Sequence, residues 1–157
     1  MPNDPSILAS ADAIASVGEV PPRVASSEVV FEVMVATMWS VGELIAAEVE
    51  RSRAAVTAMG LHPRRGGSAF GAIAAGALPF SEIEFDRLTR SEARLAYAAA
   101  EWLAATSLPA DRRSQFLRGL RLRLRLTDTE TAQLIALAHE ADTAPPREAF
   151  AHLLAAI

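Results

Sequence analysis

Three histidines, His62, His139 and His152, are the side chains of this sequence best suited to bind a transition metal or to carry a proton near neutral pH. None of them stands in the Glu-x-x-His spacing that places two ligands of a helical di-iron site on one face. None belongs to a His-Glu-x-x-His zinc motif. Glu148 lies four residues before His152, so the two could meet on one helix face, and we expect a surface hydrogen bond there.

The segment 62–76 contains Ser68 between glycines, which is the nearest approach to a serine nucleophile. The spacing of residues 66–71 is one position away from a Gly-x-Ser-x-Gly elbow, and no strand is predicted before it. The run also lacks the lysine of a phosphate-binding loop. This glycine-rich segment is explained by a turn whose small residues allow close helix packing. The alternative, that the protein is a small-ligand binder or an enzyme that uses this loop, stays open. The side chains of that alternative are His62, Arg64, Arg65 and Phe70.

Six arginines between residues 112 and 125 form the densest charge cluster of the chain. On a helix, Arg118, Arg121 and Arg125 share one face, because residues three and seven positions apart lie on the same side. This face either is solvated and paired with the chain's acids, or docks an acidic partner or a phosphate group. Both interpretations stay open at this point.

Composition limits the class of protein. The chain has 157 residues, 51% hydrophobic, with no cysteine and a net charge of −4. This length predicts one domain with a core of its own, and the missing cysteines exclude disulfides and thiolate metal sites. The acidic balance argues against nucleic-acid binding. Residues 1–5 carry no basic side chain and the apolar run 29–41 is too short for a bilayer, so we expect a cytoplasmic protein without membrane insertion.

The elements that must position these side chains are helices. Alanine and leucine favour helix over strand, which predicts an all-α fold, a single-domain bundle of about seven helices. An N-terminal arm over 1–27, partly ordered, precedes the helical domain 28–157. Serine caps, capping boxes and glycine stops mark the helix ends. The predicted helices cover about 28–41, 44–59, a short stretch before Pro79, 82–88, 91–105, 109–125, 128–141 and 146–156.

Apolar spacing predicts which helix faces are buried. In the helix 91–105 it predicts an apolar stripe of Leu95, Ala98, Ala99, Trp102 and Leu103. In the helix 44–59 the apolar side chains are expected to face the core, and Glu48, Glu50, Arg51 and Arg53 to face water. The segment 120–126 alternates leucine with arginine, which is the period of a strand. We predict helix there, because both residue types favour helix and an isolated strand would have no partner.

Two stretches of the chain are similar to each other. In each, an apolar helix carrying a tryptophan, Trp39 or Trp102, is followed by a break, a hydrophobic residue, an acidic residue and a second helix. The pattern predicts two related helical halves. The hydrophobic and acidic residues are Leu44 with Glu48 in the first copy, and Leu108 with Asp111 in the second.

This layout resembles the tellurite-resistance TerB-like family over about residues 30–140. The halves of that family carry an Asp-Gly-x-hydrophobic break followed by an acidic residue in the next helix. Residues 42–44 with Glu48 match the first break in part, and residues 107–108 with Asp111 match the second at fewer positions. The resemblance implies an all-α fold of two similar halves and a role in a bacterial stress response.

The resemblance also implies a cation site at the breaks, with Glu43, Glu48 and Asp111 as candidate metal ligands. The chain departs from the family at the aspartates themselves, which fall on Val41 and on residues 104–105. A Ca²⁺ site takes six to eight oxygens, and three carboxylates supply only part of that set. The same acids also suit the positive end of a helix. We therefore expect a degenerate site and no resident cofactor.

These observations predict a non-enzymatic helical interaction module of a bacterial stress response, which acts through a protein partner or as a homodimer. The alternatives are a metal-binding stress protein with a degenerate acidic site, and a small-ligand binder or enzyme using the 62–76 loop.

Overall fold

The computed structural model describes residues 22–61, 69–107 and 110–157. Seven α-helices and no strands occur within these ranges, which confirms the predicted all-α fold. Two 3-10 turns, Phe80–Glu82 and Phe85–Arg87, lie between the third and fourth helices. The helices are α1 (Pro22–Trp39), α2 (Ala46–Ala58), α3 (Ala69–Ala74), α4 (Arg90–Ala104), α5 (Asp111–Arg123), α6 (Asp128–Asp142) and α7 (Pro146–Ala156).

Local signals set most helix ends. Thr127 and Glu130 form the predicted capping box at the start of α6, and Thr89 with Glu92 forms a second one at α4. At the end of α2 the chain turns through Gly60, whose φ of 66° is readily adopted only by glycine. There the backbone N–H of Leu61 donates to Val56, as in a Schellman motif.

Two predicted boundaries are wrong. Helix α1 begins at Pro22 rather than after the serines 26–27, because proline is preset for the first helical turn. Residues 22–27 therefore belong to α1, and the rest of the predicted arm, 1–21, lies outside the described residues. The helix predicted over 82–88 is two 3-10 turns instead, since Ile83 adopts an extended conformation between them and is buried.

Helix α4 lies at the centre of the bundle and packs against α1, α2, α5, α6 and α7. Its alanines let neighbouring helices approach closely, and its predicted apolar stripe is buried as expected. None of the described helices is long and apolar enough to cross a bilayer. The buried stripe consists of Leu95, Ala98, Ala99, Trp102 and Leu103.

The two tryptophans have different surroundings. Trp102 is fully buried, and its ring centroid lies 5.8 Å from that of Phe150. Trp39 is half-buried, and its indole N–H donates to the carbonyl of Ile73 at 2.8 Å. The relation between two similar halves stays a prediction.

The alternating segment 120–126 is helical up to Arg123 and then turns, which confirms the predicted helix for its first part. The turn is a Schellman motif, in which the N–H of Leu126 donates to the carbonyl of Arg121 at 3.2 Å. Arg125 holds the left-handed position with φ 55°, where glycine is usual. The turn buries Leu124 and Leu126 and leaves Leu122 in solvent.

Candidate functional site

The three candidate metal ligands are not gathered into one site. Glu43 and Asp111 are exposed, whereas Glu48 in the first turn of α2 is completely buried. The Glu48 Oε1 atom lies 2.8 Å from Nη2 of Arg113 on α5. Within the described ranges no three acidic or histidine side chains form a group suited to a metal ion. The prediction that Glu48 faces water is wrong.

Arg113 connects four parts of the bundle. Its Nε donates to Oγ of Ser40 at 3.0 Å, its Nη1 to Oγ of Ser107 at 2.7 Å, and its Nη2 to the carbonyl of Thr37 at 3.2 Å. Ser40 and Thr37 lie at the end of α1, and Ser107 follows α4. Only 5% of the Arg113 side chain is exposed, so a buried charge here needs this full set of partners.

Burial raises the pKa of the Glu48 carboxyl above 4.5, because desolvation penalises the charged form, while Arg113 and Arg51 oppose the shift. The 2.8 Å contact with Nη2 of Arg113 is the one close polar contact of the Glu48 carboxylate among the described residues. The carboxylate is thus held by charge rather than by a network of donors. This arrangement stabilises the fold, and it leaves no face of Glu48 open to solvent.

Arg51, also predicted to face water, is largely buried as well. Its Nη1 donates to the carbonyl of Trp102 at 2.6 Å, and its Nη2 contacts Oδ1 of Asp142 at 2.5 Å. The guanidinium carbon lies 4.9 Å from the centre of the Trp102 ring, within the range of a cation–π contact. Arg51 therefore links α2 to the ends of α4 and α6.

Sequence reasoning missed the buried pair because it treated every charge of α2 as solvated. The signal was present in the spacing: Glu48, Ser52, Ala55 and Val56 recur at helical intervals and form the buried face of α2. Arg113 carried no such signal, since its partners come from distant segments of the chain.

A groove opens where the 3-10 turns meet the start of α4 and the end of α5. It encloses about 890 Å³. We call it the arginine groove; its lining consists of Phe80, Ser81, residues 83–90, Ala93 and residues 122–125. Phe80, Phe85 and Leu88 are half-buried along it, and Leu122 is 73% exposed.

Four arginines and two acids line the arginine groove. Arg87 pairs with Glu84 at 2.8 Å, and Arg90 pairs with Glu130 and donates to the carbonyl of Arg125 at 3.0 Å. The Arg123 and Arg125 side chains are exposed, and neither makes an ion pair with a described residue. The groove thus offers, beside an apolar surface, two guanidinium groups that have no ion-pair partner among the described residues.

The predicted arginine face is only partly formed. Arg118 is exposed on α5, and Arg121 forms an ion pair with Asp128. Arg125 lies beyond the helix end, so it leaves that face and joins Arg123 at the groove.

Other predicted side chains lie elsewhere. Nε2 of His152 is 3.9 Å from Oε2 of Glu140 on the neighbouring α6, so it meets that acid instead of Glu148. His62, Arg64 and Arg65 lie outside the described residues, so the alternative of a site at the 62–76 loop stays a prediction.

No family model, no curated protein and no solved structure matches this chain. The fold and the groove define an all-α helical bundle with an arginine-rich surface groove. The resemblance to the TerB-like family stays a prediction from the sequence.

Proposed function

We propose that the chain is a non-enzymatic helical interaction module of the tellurite-resistance TerB-like kind, acting in the cytoplasm in a bacterial stress response. The observation that carries the proposal is that exposed Leu122 shares one groove with Arg123 and Arg125, which have no ion-pair partner among the described residues. An apolar side chain next to unpaired charges has no evident role in the fold, and it suits an anchor point for another protein.

The buried acid supports the same proposal. Glu48, the sole fully buried carboxylate among the described residues, is committed to an ion pair with Arg113 inside the bundle. Its contacts are those of a residue that stabilises helix packing. We therefore place the proposed interaction site on the surface of the bundle, and we assign the buried ion pair a role in helix packing.

A photo-crosslinking amino acid placed at single surface positions in living cells tests the proposal. Positions Leu122, Leu154 and Arg53 sample the groove, α7 and α2, and all three side chains are exposed. We expect a discrete covalent adduct at position 122, with another protein or with a second copy, and none at the two other positions. Absence of an adduct at every position, in folded and expressed protein, would reject an interaction module.

The stress role has its own test. Deletion of the gene should reduce growth on tellurite or under oxidative stress, and growth should recover when the gene is restored. Unchanged growth under both conditions would reject the stress-response part and leave the interaction part standing.

A further inference from the structure

We infer that the arginine groove binds an acidic peptide segment of a partner protein, in which an apolar side chain is flanked by carboxylates. The inference rests on the proposed function and names the chemistry of the partner. It follows from the shape of the groove, from its apolar surface and from the position of its charges.

The apolar side of the groove is formed by packed aromatic rings. The Phe80 ring lies edge-on to Phe85 with centroids 5.7 Å apart, and 5.1 Å from Phe116 on α5. The Phe80 ring also lies over Gly119, where a Cβ would be at an ordinary contact distance of 3.4 Å from it. The first 3-10 turn thus contacts α5 through Phe80, and an apolar side chain between Phe80 and Leu122 would meet this packed surface.

The groove is positively charged, whereas the chain as a whole has a negative net charge. The chain carries a net charge of −4, yet arginines outnumber acids along the groove by four to two. A local positive patch attracts acidic segments, whereas in a symmetric dimer through the groove this patch would face its own copy and be repelled. This contrast disfavours a second copy of the chain as the occupant.

The two lips of the groove differ. Glu84 and Asp86 lie on the 3-10 side, whereas Arg123 and Arg125 lie on the α5 side. Carboxylates of a bound segment would therefore contact the α5 lip, and its apolar residue would lie towards Phe80. The end of α5 carries the negative pole of the helix, which Arg90 offsets by donating to the carbonyls of residues 124 and 125.

The same asymmetry argues for a peptide over a polyanion. A phosphate chain or a nucleic acid would gain from Arg123 and Arg125 but would be repelled by Asp86, since Arg87 neutralises Glu84 alone, and it would leave the aromatic surface unused. A peptide can alternate acidic and apolar residues, so it can satisfy both lips. The volume of the groove is also suitable, because about 890 Å³ is enough for a few side chains of such a peptide.

An unbiased displayed peptide library selected on the full chain tests the inference. We expect enrichment of sequences in which leucine or phenylalanine is flanked by aspartate and glutamate. Fluorescence anisotropy of the selected peptide should show saturable binding that weakens with salt. Replacement of its apolar residue by serine, and of its acids by their amides, should each weaken binding by at least about tenfold.

Matched variants test whether the selected peptide binds in the arginine groove. The double change Arg123→Gln with Arg125→Gln, and the single change Leu122→Ser, should each weaken binding at least about tenfold. Arg53→Gln and Arg147→Gln alter exposed arginines outside the groove lining and should leave it unchanged. Circular dichroism and thermal unfolding should show that all variants remain folded.

Four outcomes would overturn the inference: enrichment of neutral or basic peptides, equal binding to the groove variants, full competition by inorganic polyphosphate, or a dimer that Leu122→Ser dissociates. A crosslinked adduct in cells without acidic-peptide binding would overturn this inference and leave the interaction module intact. Absence of both would reject the two together.

Discussion

Oε1 of Glu48 and Nη2 of Arg113 lie 2.8 Å apart in the interior of the bundle, and they join the start of α2 to the start of α5. The acid is fully buried and the guanidinium nearly so. Each charge of such a pair offsets part of the desolvation penalty of the other, so loss of one partner leaves the other charge uncompensated. The pair thus makes the packing of α2 and α5 interdependent.

The first prediction follows from this pair. Arg113→Met should lower the free energy of unfolding by about 3–5 kcal/mol, because Glu48 would be buried without a counter-charge. Urea unfolding measures the loss, and Arg118→Met on the exposed face of the same helix should change it by less than about 0.5 kcal/mol. The double variant with Glu48→Met should recover much of the loss. A double variant as unstable as the two single losses added together would contradict a coupled pair.

The second prediction concerns pH. Burial raises the pKa of Glu48 above 4.5, so between 4.5 and the raised value the folded chain binds more protons at this site than the unfolded chain. The Glu48 contribution to stability therefore falls as pH rises through that window and is constant above it. Unfolding free energies of the wild type and Glu48→Gln, compared from pH 4 upward, should show this fall in the wild type alone. Glu43→Gln, at an exposed acid, should retain it.

The third prediction concerns the start of α6. The hydroxyl of Thr127 accepts from the N–H of Glu130 at 3.1 Å, so Thr127→Ala leaves that donor without its cap. We expect a loss of about 1 kcal/mol in the free energy of unfolding, measured by urea denaturation. Thr127→Ser keeps the hydroxyl and should lose far less. Equal losses in the two variants would point to the methyl group instead of the cap.

The fourth prediction concerns Glu130, whose contribution to stability changes with pH in the opposite direction to that of Glu48. The backbone N–H of Thr127 donates to Glu130 and lowers the pKa of this carboxyl, with Arg90 adding to the effect. The Glu130 contribution is therefore fully present above pH 4.5 and is lost as pH falls through its lowered value. Thermal unfolding should show that Glu130→Gln destabilises the chain at neutral pH and matters less in acid. An equal effect at pH 7 and pH 3 would contradict the ionic role.

The fifth prediction separates the two leucines of the alternating segment. Leu120 is fully buried and Leu122 is 73% exposed. Leu120→Ala should lower the free energy of unfolding by about 2–5 kcal/mol through the cavity it leaves. Leu122→Ala should change it by less than about 0.5 kcal/mol, because its side chain already contacts water. Similar losses in both would favour a strand-like alternation over the helix end described above.

Helix positions were predictable because their signals are local. A capping box such as Thr127 with Glu130 involves atoms three residues apart, and a glycine such as Gly60 ends a helix through its own backbone freedom. The boundaries that failed also had local signals: the serines at 26–27 suggested a helix cap, but the helix begins at Pro22. The segment 82–88 offered a capping box in its sequence, but burial of Ile83 favoured two short turns over a helix.

The candidate site was predictable only in part. The arginine cluster was visible in the sequence, and Arg125 does lie at the groove. The aromatic wall was not visible, because Phe80 and Phe116 meet only when the 3-10 turns fold back on α5. The burial of Glu48 was visible in its helical spacing with Ser52 and Ala55, but its partner Arg113 was hidden, because no local pattern links two distant segments of the chain.

The sequence by itself therefore determined the helical class, most helix ends and the apolar stripe of α4, since these depend on propensities, caps and spacing within a few residues. Only the tertiary structure decided that Glu48 meets Arg113 and that Leu122 is left in solvent beside Arg123 and Arg125. Those relationships join residues from separate helices or depend on which face of a helix the rest of the chain covers. Desolvation and charge pairing act through space, and a one-dimensional pattern does not record which distant residues will share the interior.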